Sequence, residues 1–241
     1  MKKYTHLFFD LDGTLWDLHR NSRIAMEQVV SSHEEDRIRS LDFNVFFPVY
    51  QRHNERVWEL YRKGKIEKSV LRVIRFERAF RDCGLEITDV QCSDFADRFL
   101  GICPNLPHLI DGALDILEYC APKYQLHIIT NGFREIQGIK MNAGKIRHYF
   151  QNVVHSEDCG ARKPNGIIFK YALEKAGCGP EECLMIGDDW EADVLGARNA
   201  GIDQAYLLEP PAHRKGRIRR SVHNHKPTFA IQSLAELKEI I

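Results

Sequence analysis

The chain has 241 residues, 44% of them hydrophobic, so folding can bury roughly 70–75% of the extended surface in one or two domains without a disulfide or metal staple. Thirty-four basic residues balance thirty-four acidic ones, which leaves no global field to draw the protein to nucleic acid or an anionic membrane. Seven cysteines with no CxxC pair argue against a disulfide framework and a structural zinc site. With no secretory signal and no run near the roughly 20 apolar residues of a membrane span, a reduced, cytoplasmic protein is expected.

Taken in chain order, the first element is "HLFFDLD" (6–12), an apolar run ending in two aspartates. Continuous apolar runs of this length suit strands covered on both faces, the habit of parallel sheets. Residues 21–39, 43–63, 66–82 and 88–101 then read as helices, with apolar residues at three- and four-residue spacing and Thr88 as an N-cap. From about residue 105 strands and helices alternate. The expected helices are 111–120, 165–177 (Asn165 as N-cap, Gly177 past the end), 189–201 and 233–241, the last opened by Ser233 and Glu236 in capping-box spacing. The expected strands are "QLHIITNG" (125–132), "NVVHSED" (152–158), "CLMIGDD" (183–189), "QAYLL" (204–208) and "TFAI" (228–231). This order predicts a doubly wound, Rossmann-like α/β core from residues 1–18 and 102–241, with residues 19–101 inserted as an all-helical cap at the carboxyl end of the sheet. Trp16 and His127 read as core residues. The basic tract 213–226, with six Lys or Arg and no acid, reads as a solvated excursion.

The chemistry lies where the apolar runs end. Asp10 and Asp12 follow the first, Thr130 and Asn131 the second, Lys163 comes shortly after the third, and Asp188 and Asp189 follow the fourth. In a parallel sheet all of these share one rim. Carboxylates with backbone oxygens make a hard-oxygen site suited to Mg2+, whereas zinc or copper asks for histidine or thiolate. A lysine, a threonine hydroxyl and loop N–H groups make an anion site. A hard dication beside an anion site is what phosphoryl transfer requires.

"DLDGT" (10–14), "ITNG" (129–132), "RKP" (162–164) and "IGDDWEAD" (186–193), in this order and with a helical insertion after the first, resemble the haloacid dehalogenase (HAD) superfamily of phosphatases with a helical cap of the first type. Within it the pattern is most similar to the pyrimidine 5′-nucleotidase branch. The resemblance implies that Asp10 is the nucleophile and Asp12 the general acid and base. It also implies that Mg2+ sits among the Asp10 carboxylate, the Asp12 main-chain carbonyl and the Asp188 carboxylate. Thr130, Asn131 and Lys163 are then expected to hold phosphate, Asp193 to orient Lys163, and Asp189 to support the metal. The expected partner is a small phosphorylated metabolite, with neither nucleic acid nor membrane. Oligomeric state is left open. A phosphosugar mutase and a 2-haloacid dehalogenase are the alternative enzymes. Asp12 speaks against the second, because a halide leaves without a proton. An idle binding protein on this fold is expected to have lost one of Asp10, Asp12, Lys163 or Asp188, and all four are present.

Overall fold

A computed structural model describes residues 4–208 and 226–241. The chain divides into two compact units, Met1–Leu18 with Pro107–Ile241, and His19–Leu106. Its elements, in order, are strand β1 (His6–Phe9), helices α1 (Leu18–Ser31), α2 (Asp36–Arg39), α3 (Phe43–Arg62), α4 (Lys68–Asp82), α5 (Asp89–Ile102) and α6 (Ala113–Cys120), and strand β2 (Gln125–Thr130). There follow helix α7 (Arg134–Ala143), strand β3 (Asn152–His155), helices α8 (Ser156–Cys159) and α9 (Gly166–Ala176), strand β4 (Cys183–Gly187), helix α10 (Gly196–Asn199), and strands β5 (Asp203–Leu207) and β6 (Phe229–Ile231). The basic tract 213–226 lies outside the described residues except for Lys226.

The sheet has the order β3-β2-β1-β4-β5-β6, and every pairing is parallel. This is the doubly wound α/β fold expected from the alternation. Leu7, Phe8 and Phe9 are fully buried, and β1 is paired on both sides, with Phe9 opposite Ile128 of β2 and Ile186 of β4. A core of Phe8, Ile129, Val154, Ile168, Phe169 and Met185 packs on the sheet. Trp16 and His127 are both fully buried. The His127 ring bonds His6 and Asn152.

The unit His19–Leu106 is helical. It runs past residue 101, the expected limit, because a 3-10 turn (Cys103–Asn105) continues α5 and buries Cys103 and Pro104. The predicted helix 21–39 is two helices: Ser31 and Ser32 both turn their hydroxyls onto the Gln28 carbonyl, competing with the backbone where α1 ends. Thr88 caps α5 in a reciprocal capping box with Gln91.

The α/β unit departs from the expected pattern in four places. The run 152–158 is strand only to His155, its last three residues lying in α8. Helix α7 has no counterpart in the sequence reading. Its buried residues are Gln137, Lys140 and Met141, while Ile139 is exposed, so the apolar stripe that reveals a helix is absent. The predicted helix 189–201 begins as a π-helical turn, Trp190–Leu195, before α10. The segment opened by Ser233 and Glu236 keeps its capping box but winds as a 3-10 helix, Leu234–Glu239.

Candidate active site

The order of the strands reverses at β1, whose neighbours β2 and β4 lead the chain away in opposite directions. Such a reversal opens a crevice at the carboxyl ends of the strands. Asp10, one residue past β1, donates its N–H to the Ile186 carbonyl of β4 at 2.9 Å, which brings the first loop beside the fourth. Gly13 has φ +91°, and a Cβ there would lie 2.6 Å from Asp188 Oδ2. Only glycine gives both that conformation and that approach. Thr14 then donates its hydroxyl to Asp188 Oδ1 at 2.9 Å.

Lys163, only 2% exposed, is the hub. Its ammonium donates to Asp10 Oδ1 at 2.7 Å, Asp193 Oδ1 at 2.6 Å and the Ile129 carbonyl at 2.7 Å. Burial pulls the Lys163 pKa down, but the two carboxylates outweigh it and hold the proton more firmly than usual. Asp10 is pushed up to about 7, first by burial and then by the charges of Asp193 and Asp12, with Lys163 opposing. Asp193 is also raised by burial, again against Lys163. The widened π-helical turn positions Asp193: its Oδ2 accepts the Asp189 N–H at 3.0 Å. Asp189 in turn caps the turn, its Oδ1 accepting from the Glu191 and Ala192 N–H groups at 3.0 and 2.9 Å. The helical turn thus starts after Asp189, and Asp193 reaches back to the Asp189 main-chain N–H while the Asp189 side chain caps the turn itself.

On the other side of Asp10, the Asn131 side chain is tied to Lys163's backbone, accepting its N–H at 2.8 Å and donating to its carbonyl at 3.0 Å. These two bonds fix the Asn131 side chain against the Lys163 backbone. Thr130 Oγ1 accepts from Gly132 N–H at 3.0 Å and Gln137 Nε2 at 3.2 Å. With its two acceptor sites filled, the hydroxyl proton remains to be donated. Asp12 meets Lys140 Nζ at 2.6 Å through Oδ1 and Gln137 Nε2 at 2.8 Å through Oδ2. Thr14, Gln137 and Lys140 were not anticipated as site residues. A polar pair three residues apart shortly after "ITNG" was the available signal for the last two.

Asp10, Asp188 and Asp193 each offer a carboxylate oxygen within 4.8 Å of the others. Three carboxylates against one ammonium leave this cluster a formal charge of minus two, which a dication matches. The donors are hard oxygens, as Mg2+ or Ca2+ prefers. Both Asp193 oxygens are already engaged, which leaves Asp10 and Asp188 as the carboxylates of the cluster to hold a cation.

Residues 4–201 match the family model described as haloacid dehalogenase-like hydrolase. The chain is 32% identical to pyrimidine 5′-nucleotidase YjjG of Escherichia coli (strain K12), over 99% of this chain and 98% of that one. It is 30% identical to pyrimidine 5′-nucleotidase PynA of Streptococcus pneumoniae (strain ATCC BAA-255 / R6), over 99% and 95%. Among solved structures, the HAD-hydrolase YfnB of Bacillus subtilis bound to magnesium superposes with a TM-score of 0.84 at 25% identity, over 99% of both chains. A buried carboxylate–ammonium hub at the reversal point of a parallel sheet, the ordered motifs that build it and a match over most of the sequence agree: the chain is a member of the haloacid dehalogenase-like hydrolases.

Proposed function

We propose that this hydrolase is a Mg2+-dependent phosphatase that cleaves small phosphate monoesters, nucleoside 5′-monophosphates foremost, through an aspartyl-phosphate at Asp10. The observation that carries the reading is the division of labour at Asp10: Lys163 holds Oδ1 at 2.7 Å while Oδ2 is left for another partner. A carboxylate fixed by one oxygen presents the other as a nucleophile. The full-length similarity to two pyrimidine 5′-nucleotidases supports the choice of substrate class.

In this reading Asp10 Oδ2 attacks phosphorus, the bond to the leaving oxygen breaks, and Asp12 delivers a proton to that oxygen. Asp12 then takes a proton from a water whose oxygen attacks the phosphorus, releasing inorganic phosphate and restoring Asp10. Proton transfers of this kind contribute about 10²–10⁴-fold each. Lys163 neutralises charge on Asp10 and the phosphoryl group, and Asp193 keeps Lys163 in place. The Thr130 hydroxyl and the main-chain N–H of Asn131 donate to phosphoryl oxygens. Asp10, Asp188 and the Asp12 carbonyl would hold Mg2+, which when bound would supply the remaining charge neutralisation, and Asp189 supports that side through the turn it caps. Selection of the substrate falls to the helical unit inserted after the first motif. Seven free thiols and the absence of a membrane-crossing helix among the described residues suit a cytoplasmic enzyme.

The test is release of phosphate from a panel of nucleotides and sugar phosphates with Mg2+, for the natural chain and for Asp10→Asn. Asn keeps the shape but loses the nucleophile, so turnover should fall on the order of 10⁴-fold or more, with the fold intact by circular dichroism. Chelation should stop turnover and added Mg2+ restore it. Undiminished hydrolysis of p-nitrophenyl phosphate by Asp10→Asn would refute the assignment.

A further inference from the structure

Helix α7 turns a polar face inward. Gln137 is fully buried and Lys140 only 7% exposed, and residues three apart on a helix share a face. Both point at one side chain: Gln137 Nε2 takes Asp12 Oδ2 at 2.8 Å and Lys140 Nζ takes Oδ1 at 2.6 Å. Asp12 is the single carboxylate partner of Lys140 among the described residues, and the fully buried Trp16 ring lies 4.5 Å from the same ammonium. Burying a lysine is unfavourable unless its charge is matched. Burying Gln137 carries a further penalty, since its Oε1 finds no partner. The neighbouring chain also accommodates this geometry. A Cβ on Gly132 would overlap the Gln137 amide nitrogen, so glycine there leaves the space in which the amide reaches both Asp12 and Thr130.

We propose that Gln137 and Lys140 are positioning residues for proton transfer: a two-point clamp that fixes both oxygens of Asp12 in the orientation from which it protonates the leaving oxygen. The proposal rests on the acid role assigned to Asp12 above. The clamp leaves Asp12 one defined rotamer, with Trp16 forming the apolar wall against which the Lys140 ammonium sits. Two donors on one rigid helix hold a carboxylate more narrowly than a single bond, and misplacement by an ångström is enough to impair catalysis severely. Because Gln137 also reaches Thr130, the clamp ties the proton donor to the hydroxyl offered to the phosphoryl group.

Leaving-group dependence tests this. kcat/KM reads events up to departure of the leaving group; p-nitrophenolate departs without a proton, whereas the alkoxide of uridine 5′-monophosphate needs one. With Mg2+ and the full chain, Lys140→Met should lower kcat/KM for uridine 5′-monophosphate by about 10–100-fold and for p-nitrophenyl phosphate by less than about 3-fold, with kcat carrying the loss. Lys140→Arg, which keeps the charge and a donor, should recover most of it. Gly132→Ala and Gln137→Met should give the same selectivity on a smaller scale, and they carry the test if Lys140→Met does not fold. Asp12→Asn is the reference. If it is selective between the two substrates and the clamp variants are not, or if they gain activity, the clamp is overturned and the role of Asp12 stands. If Asp12→Asn itself loses equally on both substrates, the acid role fails and the clamp falls with it.

Discussion

The two units bury different chemistry. In the helical unit the centre is a stack of rings: Phe46, Tyr50, Phe76, Phe80, Phe95 and Phe99 are all buried, with centroids such as Phe76–Phe95 at 5.4 Å and Phe80–Phe95 at 4.9 Å. The buried guanidinium of Arg75 lies over the Phe76 ring at 4.7 Å and donates to Asn54 at 2.8 Å. In the α/β unit the apolar core lies along the sheet, and its rim buries Asp10, Thr130, Gln137, Lys140, Lys163 and Asp193. Rings stabilise by area and by their edge-to-face geometry. Buried ion pairs roughly cancel their own desolvation. The helical unit is therefore built for stability, and the rim of the sheet retains charge for chemistry at stability's expense.

The sharpest way to break this contrast is to remove the hub. Lys163→Met leaves Asp10 and Asp193 buried without their cation, so unfolding in urea should show a loss of about 3–5 kcal/mol together with the loss of turnover. Adding Asp193→Asn should restore part of the stability and none of the activity. A double variant as active as the natural chain would mean that Lys163 matters only to the fold. In the helical unit Phe76→Ala should lower stability by about 3–5 kcal/mol, read from the same unfolding curves. A loss under about 1 kcal/mol would show that the ring cluster is not what holds that unit.

The next effect concerns acid. His127 is fully buried, and its pKa is pushed down to about 4, first by burial and then by His6; His155 is lowered to about 4 as well, mainly by burial. Both fold as the neutral ring. Between the unperturbed 6.5 and about 4 the unfolded chain's histidines bind protons that the folded ones refuse, so their contribution to stability is full above that window and is lost as pH falls through it. Asp10 and Asp193, raised in the folded chain, act in the opposite direction over the same range, so the measurement is the difference: from pH 7 to 4 the thermal midpoint of His127→Gln should gain on that of the natural chain. The smallest change expected is Thr88→Ala. It removes the capping box of α5 and should lower stability by about 1 kcal/mol, an effect confined to the helical unit that leaves kcat untouched.

Strands were the most legible part of the sequence, because "LFF" and "CLMIG" are short runs without a polar side chain, as suits a strand covered on both faces. Caps at Thr88, Asn165 and Ser233 were legible for a local reason, since each side chain bonds a backbone group within three residues. Helix α7 was hidden, since its inward face is Gln137 and Lys140, and a periodicity argument recognises only apolar faces. The π-helical turn at Trp190–Leu195 was hidden too: Asp189 caps its Glu191 and Ala192 N–H groups and Asp193 reaches back to the Asp189 N–H, and one residue of extra width leaves no mark on the pattern.

By itself the sequence determined the kind of chemistry. Carboxylates, a threonine, a lysine and more carboxylates after successive apolar runs can meet only at one rim of a parallel sheet, and the order of those runs specifies that rim. Tertiary structure decided which groups act on which. Asp193 attends Lys163, Asn131 braces Lys163's backbone, and Asp12 is gripped by Gln137 and Lys140. These pairings join residues 30 to 128 positions apart. No local preference encodes them, because they depend on where a neighbouring strand or helix packs and on how each buried charge finds its match.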